Sequence, residues 1–456
     1  MNHRYEASWE SLKQYQVPDW YKDAKLGVFI HWGVYAVPAF DNEWYPRNMY
    51  LKEQRAFAHH RESWGPQSRF GYKDFIPMFK AEKWDPEAWV DLFEKGGAKY
   101  IVPVAEHHDG FPMYDSAYSD WNAAKMGPCR DTIAELERVT RGRGLRFGVS
   151  SHRAFNWRYY TYADDFDTCA SGNAGIYSPA HPQGERASEA FLADWWARTK
   201  ELMDRFRPDV LWFDFCWHEE EFEPYRRQTA AYYYNQAIDW GKGVVLNYKD
   251  KFPDGTAVFD IERGKLDGLR EDYWQTDTSI SRRSWGYIED DEFRTVASLV
   301  HDLVDIVSKN GNLLLNVGPR PDGTIPEGYA SGLLGLGEWL WVNGEAIYGT
   351  RHWRSYGEGP TRVPEARFNE QEQAPYTERD IRFTVKGDKL YAICLGWPER
   401  EWKIQSLGAS AGKVTAVSMI GCAEPITWSQ GADGLTVKRP SQKPCDHAYA
   451  LKVELG

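Results

Sequence analysis

The chain has 456 residues and a formal net charge of -12 at pH 7. This length exceeds one typical core and fits a barrel of about 250 residues or more with a smaller second domain. The acidic balance, without a visible basic stripe, argues against a nucleic-acid partner, because such partners are bound by clustered lysine and arginine. No stretch approaches the roughly 20 apolar residues of a membrane span, so no membrane partner is expected.

Aromatic residues are abundant, with 22 Trp and 27 Tyr. Most aromatic side chains serve packing, but flat apolar faces with polar tips also suit sugar rings. The six cysteines are scattered without a CxxC pair, which favours free thiols. Residues 1–6 (MNHRYE) lack the apolar segment of a secretory signal. The sequence as given therefore predicts a cytoplasmic protein, and a secreted or periplasmic one if a leader has been removed.

Strand-like and helix-like segments alternate along the first 350 residues. Asp85 and Pro86 indicate a helix start, and the glycines at 96 and 97 end that helix before a strand at residues 99–104. The alternation continues with a helix from about residue 131, a strand at 146–150, a helix ending at 206, a strand ending at Asp214, a helix through 232–233, a strand at 244–247, a helix at about 291–308 and a strand at 312–317. This order predicts an α/β fold with a TIM-like (β/α) barrel over residues 1–355.

The last hundred residues have a different pattern. Short alternating segments, such as 381–385 and 390–393, are separated by turn residues. This spacing predicts a C-terminal antiparallel β-sandwich over residues 356–456. Residues 155–185 are irregular and follow a predicted strand, which favours a substrate-facing cover over a plain surface loop.

Several predicted strands end in polar or aromatic residues. Asp214 follows one apolar strand, and others end at His31, at residues 106–109, at His152 and at Lys249. A parallel barrel builds its active site at these carboxyl ends, so the side chains are expected to meet at one rim. Asp214 is the candidate catalytic carboxylate, although a lone aspartate there also suits a helix cap or an ion pair.

Two further groups suit a sugar pocket. His107 and His108 suit hydrogen bonds to substrate hydroxyls, and metal binding and core packing are the alternatives. Adjacent residues of a strand point to opposite faces, which argues against a shared metal ion. Glu43 and Trp44 lie in the connection that follows His31, and together they offer an acceptor, an indole N–H and an imidazole. A surface loop is the alternative for this second group.

Six ordered motifs make the chain recognisable. They occur at residues 26–33 (LGVFIHWG), 43–45 (EWY), 106–111 (EHHDGF), 212–214 (WFD), 284–287 (SWGY) and 311–319 (GNLLLNVGP). Together the motifs resemble the α-L-fucosidases of glycoside hydrolase family 29 over nearly the whole chain. The resemblance implies a retaining, exo-acting α-L-fucosidase that forms a covalent glycosyl-enzyme and acts on a fucosylated oligosaccharide or glycoconjugate. It implies no metal or organic cofactor and leaves the oligomeric state open.

The resemblance also implies roles for the catalytic carboxylates. Asp214 falls on the nucleophile position of the family. The acid/base is chosen among the carboxylates of residues 258–273, which are Asp260, Glu262, Asp267, Glu271 and Asp272. Glu262 is preferred because it ends an apolar-flanked segment beside Arg263, and Glu271 is the second choice.

The substrate contacts follow from the same resemblance. The residues that would hold the fucose hydroxyls are His31, Glu43, Trp44, His107 and His108. Those that would surround its methyl group are Phe29, Trp212 and Trp285. The chain departs from the family at three positions: His152 replaces a tyrosine contact, Lys249 stands where an arginine is frequent, and Gln275 stands where a glutamate is frequent. Activity on a related L-sugar such as an α-L-galactoside, or fucose binding without catalysis, are the alternative functions.

Overall fold

A closed barrel of eight parallel strands forms the first part of the molecule, and two antiparallel sheets form the second part. The computed structural model describes residues 4–369 and 374–456. The predicted TIM-like barrel with a C-terminal antiparallel β-domain is therefore confirmed.

The barrel strands follow one another in chain order around the ring. They are β1 (Leu26–Ile30), β2 (Tyr100–Glu106), β3 (Arg146–Ser151), β4 (Val210–Phe213), β5 (Val245–Tyr248), β6 (Val258–Glu262), β7 (Trp274–Ser279) and β8 (Gly311–Val317). Strand β1 pairs with both β2 and β8, which closes the barrel. All residues of β1, β2 and β8 are buried, as expected for parallel strands covered on both faces.

Helices surround much of this barrel. They are α1 (Trp9–Leu12), α2 (Asp19–Ala24), α3 (Tyr45–Asn48), α4 (Arg55–Ser63), α5 (Pro86–Lys95), α6 (Thr132–Gly142), α7 (Asn156–Tyr159), α8 (Ala174–Tyr177), α9 (Glu189–Phe206), α10 (Glu223–Trp240), α11 (Val296–Ser308) and α12 (Glu327–Asn343). Asp85 accepts hydrogen bonds from the backbone at the start of α5, and Asp131 does the same for α6. Both predicted helix starts are confirmed. Helix α11 begins five residues later than predicted, because Thr295 caps it.

The connections on either side of β6 contain no α-helix among the described residues. The chain passes from β5 to β6 and from β6 to β7 through short loops. The outer side of β6 is therefore free to contact a later segment, and Lys265 forms an antiparallel bridge with Ala366 there. This contact brings a segment of the C-terminal part close to the end of β6.

The C-terminal part packs two antiparallel sheets around its own apolar core. The strands are β9 (Arg351–Glu358), β10 (Ile381–Lys386), β11 (Lys389–Cys394), β12 (Glu401–Ile404), β13 (Val414–Met419), β14 (Trp428–Gly431), β15 (Gly434–Lys438) and β16 (Tyr449–Leu455). One sheet has the order β13-β16-β11-β10-β9 and the other β12-β15-β14. Strand β9 spans the predicted boundary between residues 355 and 356, and that boundary stays a prediction.

Residues 155–185 are packed rather than structureless. They contain the short helices α7 and α8, and Tyr160 in this segment donates a hydrogen bond to the Asp109 carbonyl at 2.9 Å. All six cysteines are free, as predicted. None of the helices in the described residues has the length and apolar character needed to cross a membrane.

Candidate active site

A small pocket opens at the carboxyl ends of the barrel strands. The pocket is lined by His31, Glu43, Trp44, His107, His108, His152, Trp212, Asp214, Phe215, Lys249, Glu262, Asp277 and Trp285. Ten of the eleven residues that the sequence placed at a site therefore lie together here. The eleventh, Phe29, lies behind the wall, with its ring 4.6 Å from that of His31 and 4.9 Å from that of Trp212.

Asp214 follows the last residue of β4 and is 7% exposed. Its Oδ2 lies 3.0 Å from His108 Nε2 and 3.2 Å from His152 Nδ1. Its Oδ1 lies 3.0 Å from Lys249 Nζ. The carboxylate is thus held in one orientation by three different loops of the rim.

Lys249 connects the carboxylates of the pocket. Its Nζ lies 3.0 Å from Asp214 Oδ1, 2.5 Å from Glu262 Oε2 and 3.6 Å from Asp277 Oδ2. Burial on its own would lower the pKa of Lys249, but these carboxylates raise it well above its usual range. The ammonium therefore stays charged. Because Asp214 and Glu262 contact the same nitrogen, their two contacting oxygens are no more than about 5.5 Å apart.

The two carboxylates respond differently to this environment. For Asp214, burial would raise the pKa, but Lys249 and the hydrogen bonds from His108 and His152 hold it well below its usual range. For Glu262, burial raises the pKa above its usual range, Lys249 opposes this shift and the Asp214 charge adds to it. The site therefore favours an ionised Asp214 beside a Glu262 that retains its proton more readily. This is the division of labour that two-carboxylate glycosidases require.

The orientation of His152 is set by its partners. Burial lowers the pKa of this histidine to about 4, so the ring is neutral near pH 7. Its Nδ1–H then donates to Asp214, and its Nε2 accepts from the Ser150 hydroxyl at 3.0 Å. His108 donates from Nδ1 to the His152 carbonyl at 2.7 Å. These bonds fix both rings against Asp214.

His31 and Glu43 are also held by neighbouring groups. His31 Nδ1 donates to Asn316 Oδ1 at 2.7 Å, and burial lowers the pKa of His31 well below its usual value. The neutral ring therefore keeps Nε2 as an acceptor. Glu43 Oε2 accepts hydrogen bonds from the Ser284 hydroxyl at 3.0 Å and from the Trp285 backbone N–H at 2.9 Å. These contacts join the β1 and β7 loops at one side of the pocket.

Two groups of side chains have the spacing of metal ligands. A ring nitrogen from each of His31, His107 and His152 lies within 4.8 Å of the other two. A ring nitrogen from each of His108 and His152 and a carboxylate oxygen of Asp214 are equally close to one another. His107 Nδ1 is buried without a hydrogen-bond partner among the described residues. Imidazoles in this arrangement suit either a metal ion or several sugar hydroxyls. The role in hydroxyl binding and the expectation of no cofactor both stay predictions.

Comparison with known proteins identifies the family. Residues 1–345 match the sequence model of the family described as Alpha-L-fucosidase, and residues 373–454 match the Alpha-L-fucosidase C-terminal domain. The chain belongs to the α-L-fucosidase family. It is therefore a glycoside hydrolase, and the predicted resemblance to family 29 and the predicted enzyme class are confirmed.

Relatives of known type match this fucosidase chain over nearly its whole length. The tissue alpha-L-fucosidase of Bos taurus is 32% identical over 479 residues, which cover 99% of this chain and 91% of the relative. The plasma alpha-L-fucosidase of Homo sapiens is 31% identical over 478 residues, with 99% and 92% covered. The crystal structure of Thermotoga maritima alpha-fucosidase has a TM-score of 0.81 and 32% identity, covering 99% of this chain and 100% of that one. The same protein in complex with fucose matches equally well by TM-score.

The remaining acid/base candidates of this fucosidase lie outside the pocket. Glu271 is exposed, and its carbonyl accepts a hydrogen bond from Asn310, which precedes β8. It therefore lies at the amino ends of β7 and β8, on the opposite side of the barrel from Asp214. Asp260 is fully buried and accepts a hydrogen bond from the Trp212 indole at 3.1 Å. This geometry leaves Glu262 as the partner of Asp214 and argues against the second choice, Glu271.

Gln275 has a structural position in the fucosidase barrel. It is fully buried and accepts hydrogen bonds from the hydroxyls of Tyr21 and Tyr100 at 2.6 and 2.8 Å. Its amide also donates to Asp260. The amide therefore satisfies polar groups inside the barrel, below the pocket.

Sequence reasoning missed two lining residues of the fucosidase pocket, Phe215 and Asp277. Phe215 stacks with Trp44 at a centroid distance of 6.1 Å. Burial raises the pKa of Asp277 well above its usual value, and the nearby Asp260 reinforces this effect. The polar pattern of β7, WQTDTS, is unusual for a buried barrel strand and was the signal that could have identified Asp277.

Proposed function

We propose that the protein hydrolyses terminal α-L-fucosyl residues with retention of the anomeric configuration. The observation that carries this proposal is the pair of carboxylates on Lys249. The contacting oxygens of Asp214 and Glu262 are no more than about 5.5 Å apart, and retaining glycosidases hold their carboxyl groups about 5–5.5 Å apart. Inverting enzymes need a wider separation, because a water molecule lies between the carboxylate and the sugar.

Each carboxylate then has one role per step. In the first step Glu262 donates its proton to the leaving glycosidic oxygen, while an Asp214 oxygen bonds to the anomeric carbon as the C–O bond to the leaving group breaks. In the second step Glu262 takes a proton from water, and the water oxygen displaces Asp214 from the anomeric carbon. Both residues return to their starting protonation states.

Lys249 supports this exchange of charge. In the resting site it neutralises Asp214 and contacts Glu262. When Asp214 becomes an ester, its negative charge disappears, and Lys249 then favours the ionised Glu262 formed at the same moment. A fixed ammonium within reach of both groups stabilises the changing charge without reorganisation of solvent.

The pocket walls suit a single deoxy sugar. Trp212 and Trp285 line the pocket, and Phe29 supports them from behind. We assign this apolar wall to the fucose methyl group and the imidazoles of His31 and His107 to the sugar hydroxyls. A small pocket at the carboxyl ends of the barrel strands suits a terminal residue of a fucosylated oligosaccharide or glycoconjugate, which corresponds to exo action.

The test is the stereochemistry of the first product. An aryl α-L-fucoside is hydrolysed in an NMR tube, and α-L-fucose is expected before mutarotation produces the β anomer. A 2-fluoro-fucosyl fluoride is expected to lose its anomeric fluoride and to trap the enzyme with one 2-fluoro-fucosyl adduct on the peptide that contains Asp214. Initial β-fucose would contradict retention. Faster turnover of an aryl α-L-galactoside, or tight fucose binding without turnover, would favour the two alternative functions.

The pH profile provides a second prediction. The general acid must be protonated, so kcat/KM is expected to fall as the pH rises through the raised pKa of Glu262. The nucleophile must be ionised, and the lowered pKa of Asp214 keeps it so to well below the usual carboxylate value of about 4. Rates are measured across the range in which the protein stays folded. If kcat/KM of Glu262→Ala, measured with a fucosyl fluoride, still falls at high pH, a group other than Glu262 controls this fall.

A further inference from the structure

A segment of the C-terminal part, between β9 and β10, lies against the ends of β5 and β6. We call residues 364–369, which precede β10, the rim segment. Lys265 and Ala366 exchange two backbone hydrogen bonds, each of 3.4 Å. The Phe368 N–H donates to the Glu262 carbonyl at 3.1 Å. The rim segment is therefore attached directly to the residue assigned as the acid/base.

The side chain of Arg367 adds a second attachment. Its Nη2 donates to the Lys249 carbonyl at 2.5 Å and to Asp250 Oδ1 at 2.9 Å. Lys249 is the residue that joins Asp214 to Glu262. The rim segment is thus tied to the ends of both β5 and β6, the strands that place the bridging ammonium and the acid.

The close approach of this segment depends on a glycine. A Cβ atom at Gly264 would lie 2.2 Å from the Ala366 carbonyl oxygen and 3.0 Å from the Arg367 Cα. Such a distance to backbone atoms is too short for any other residue, so Gly264 permits the contact. Gly264, just after β6, therefore allows a segment that lies far along the chain to approach the end of this strand.

Phe368 stands out within the rim segment. It is 60% exposed, although it is a large apolar residue, and its φ of 56° lies in the left-handed region. A bulky residue in this region costs free energy, and such conformations persist where the surroundings impose them. Its backbone bond to Glu262 and the attachments of Arg367 supply that constraint. The backbone of Phe368 is consequently held beside that of the acid/base, and its apolar side chain is exposed to solvent.

We propose that the rim segment binds the sugar of the leaving group, with Phe368 as its aromatic contact. The proposal rests on the proposed function, because Glu262 protonates the leaving oxygen and the leaving group must therefore lie on the Glu262 side of the pocket. Phe368 offers an apolar face for a sugar ring, and Arg367 with Asp250 offers charged hydrogen-bonding groups beside it. An aromatic face beside polar groups is the composition expected of a sugar site.

The experiment compares two substrates that share the fucosyl group. α-L-Fucosyl fluoride has a leaving group too small to contact Phe368, whereas an α-L-fucosyl-galactose disaccharide carries a full sugar. For Phe368→Ala, the ratio of kcat/KM for the disaccharide to kcat/KM for the fluoride is expected to fall about five- to tenfold, the size of one lost aromatic contact. Phe368→Trp is expected to restore most of this ratio.

A matched control is available on the outside of the barrel. Trp341 on α12 is 91% exposed and belongs neither to the rim segment nor to the loops that follow β5 and β6, so Trp341→Ala should leave the ratio unchanged. An unchanged ratio in Phe368→Ala would overturn the proposal, whether both rates fall together or neither falls. Wild-type protein that fails to hydrolyse the fluoride would instead refute the proposed function, which keeps the two failures distinguishable.

Discussion

Replacement of Asp214 with alanine is expected to lower kcat for an aryl α-L-fucoside on the order of 10⁴-fold. Among the described residues, the carboxylate is the only group at the carboxyl end of β4 that lines the pocket and can form the covalent bond. Its removal also leaves Lys249 and His152 without their shared partner. The variant therefore loses both the nucleophile and the anion around which the pocket is built.

Rescue by azide separates the chemical role from a structural one. The missing side chain leaves space for an azide ion near Lys249, and direct attack from that face is expected to yield β-L-fucosyl azide. Asp209 is the matched control, because it is a fully buried aspartate that precedes the same strand and forms ion pairs with Arg141 and Lys242. Asp209→Ala should lower the thermal unfolding temperature without azide-dependent recovery. An α-fucosyl azide from Asp214→Ala would contradict the assignment.

Local signals explain why much of the fold was predictable. The caps at Asp85 and Asp131 act within four residues, so neighbouring sequence suffices to locate them. The same holds for strand ends such as His31 and Asp214, because a parallel barrel collects every strand end at one rim. These residues were placed in a common site from their positions relative to the strands.

Local sequence signals do not predict contacts between residues that are far apart in the chain. The bridging role of Lys249 depends on the spatial closeness of β4, β5 and β6, whereas the sequence showed only a strand end at which the family frequently has an arginine. The rim segment is about 100 residues from β6, and no pattern in residues 364–369 indicates its attachment there. Glu262 and Glu271 also look alike in sequence. They are distinguished by the direction of β6 and β7, which places one carboxylate at each end of the barrel.

Replacement of Glu262 with alanine should produce an effect that depends on the leaving group. A sugar leaving group needs a proton, so kcat/KM for a fucosyl disaccharide is expected to fall about 10²- to 10⁴-fold. An aryl leaving group of low pKa departs without protonation. The rate at which an aryl fucoside forms the glycosyl-enzyme should therefore fall much less. Pre-steady-state measurement with such an aryl fucoside should show a burst, because hydrolysis of the intermediate still lacks its base.

Azide is expected to accelerate the second step, the breakdown of the glycosyl-enzyme, in Glu262→Ala. It needs no general base, so it attacks the accumulated glycosyl-enzyme and is expected to yield α-L-fucosyl azide, the anomer opposite to that from Asp214→Ala. Glu271→Ala is the matched control, since this exposed carboxylate lies at the amino end of β7 and its loss should change neither rate nor azide product. Equal losses for disaccharide and aryl substrates in Glu262→Ala would mean that Glu262 acts only by positioning Lys249. The opposite anomers from the two variants, in contrast, require one carboxylate on each face of the sugar.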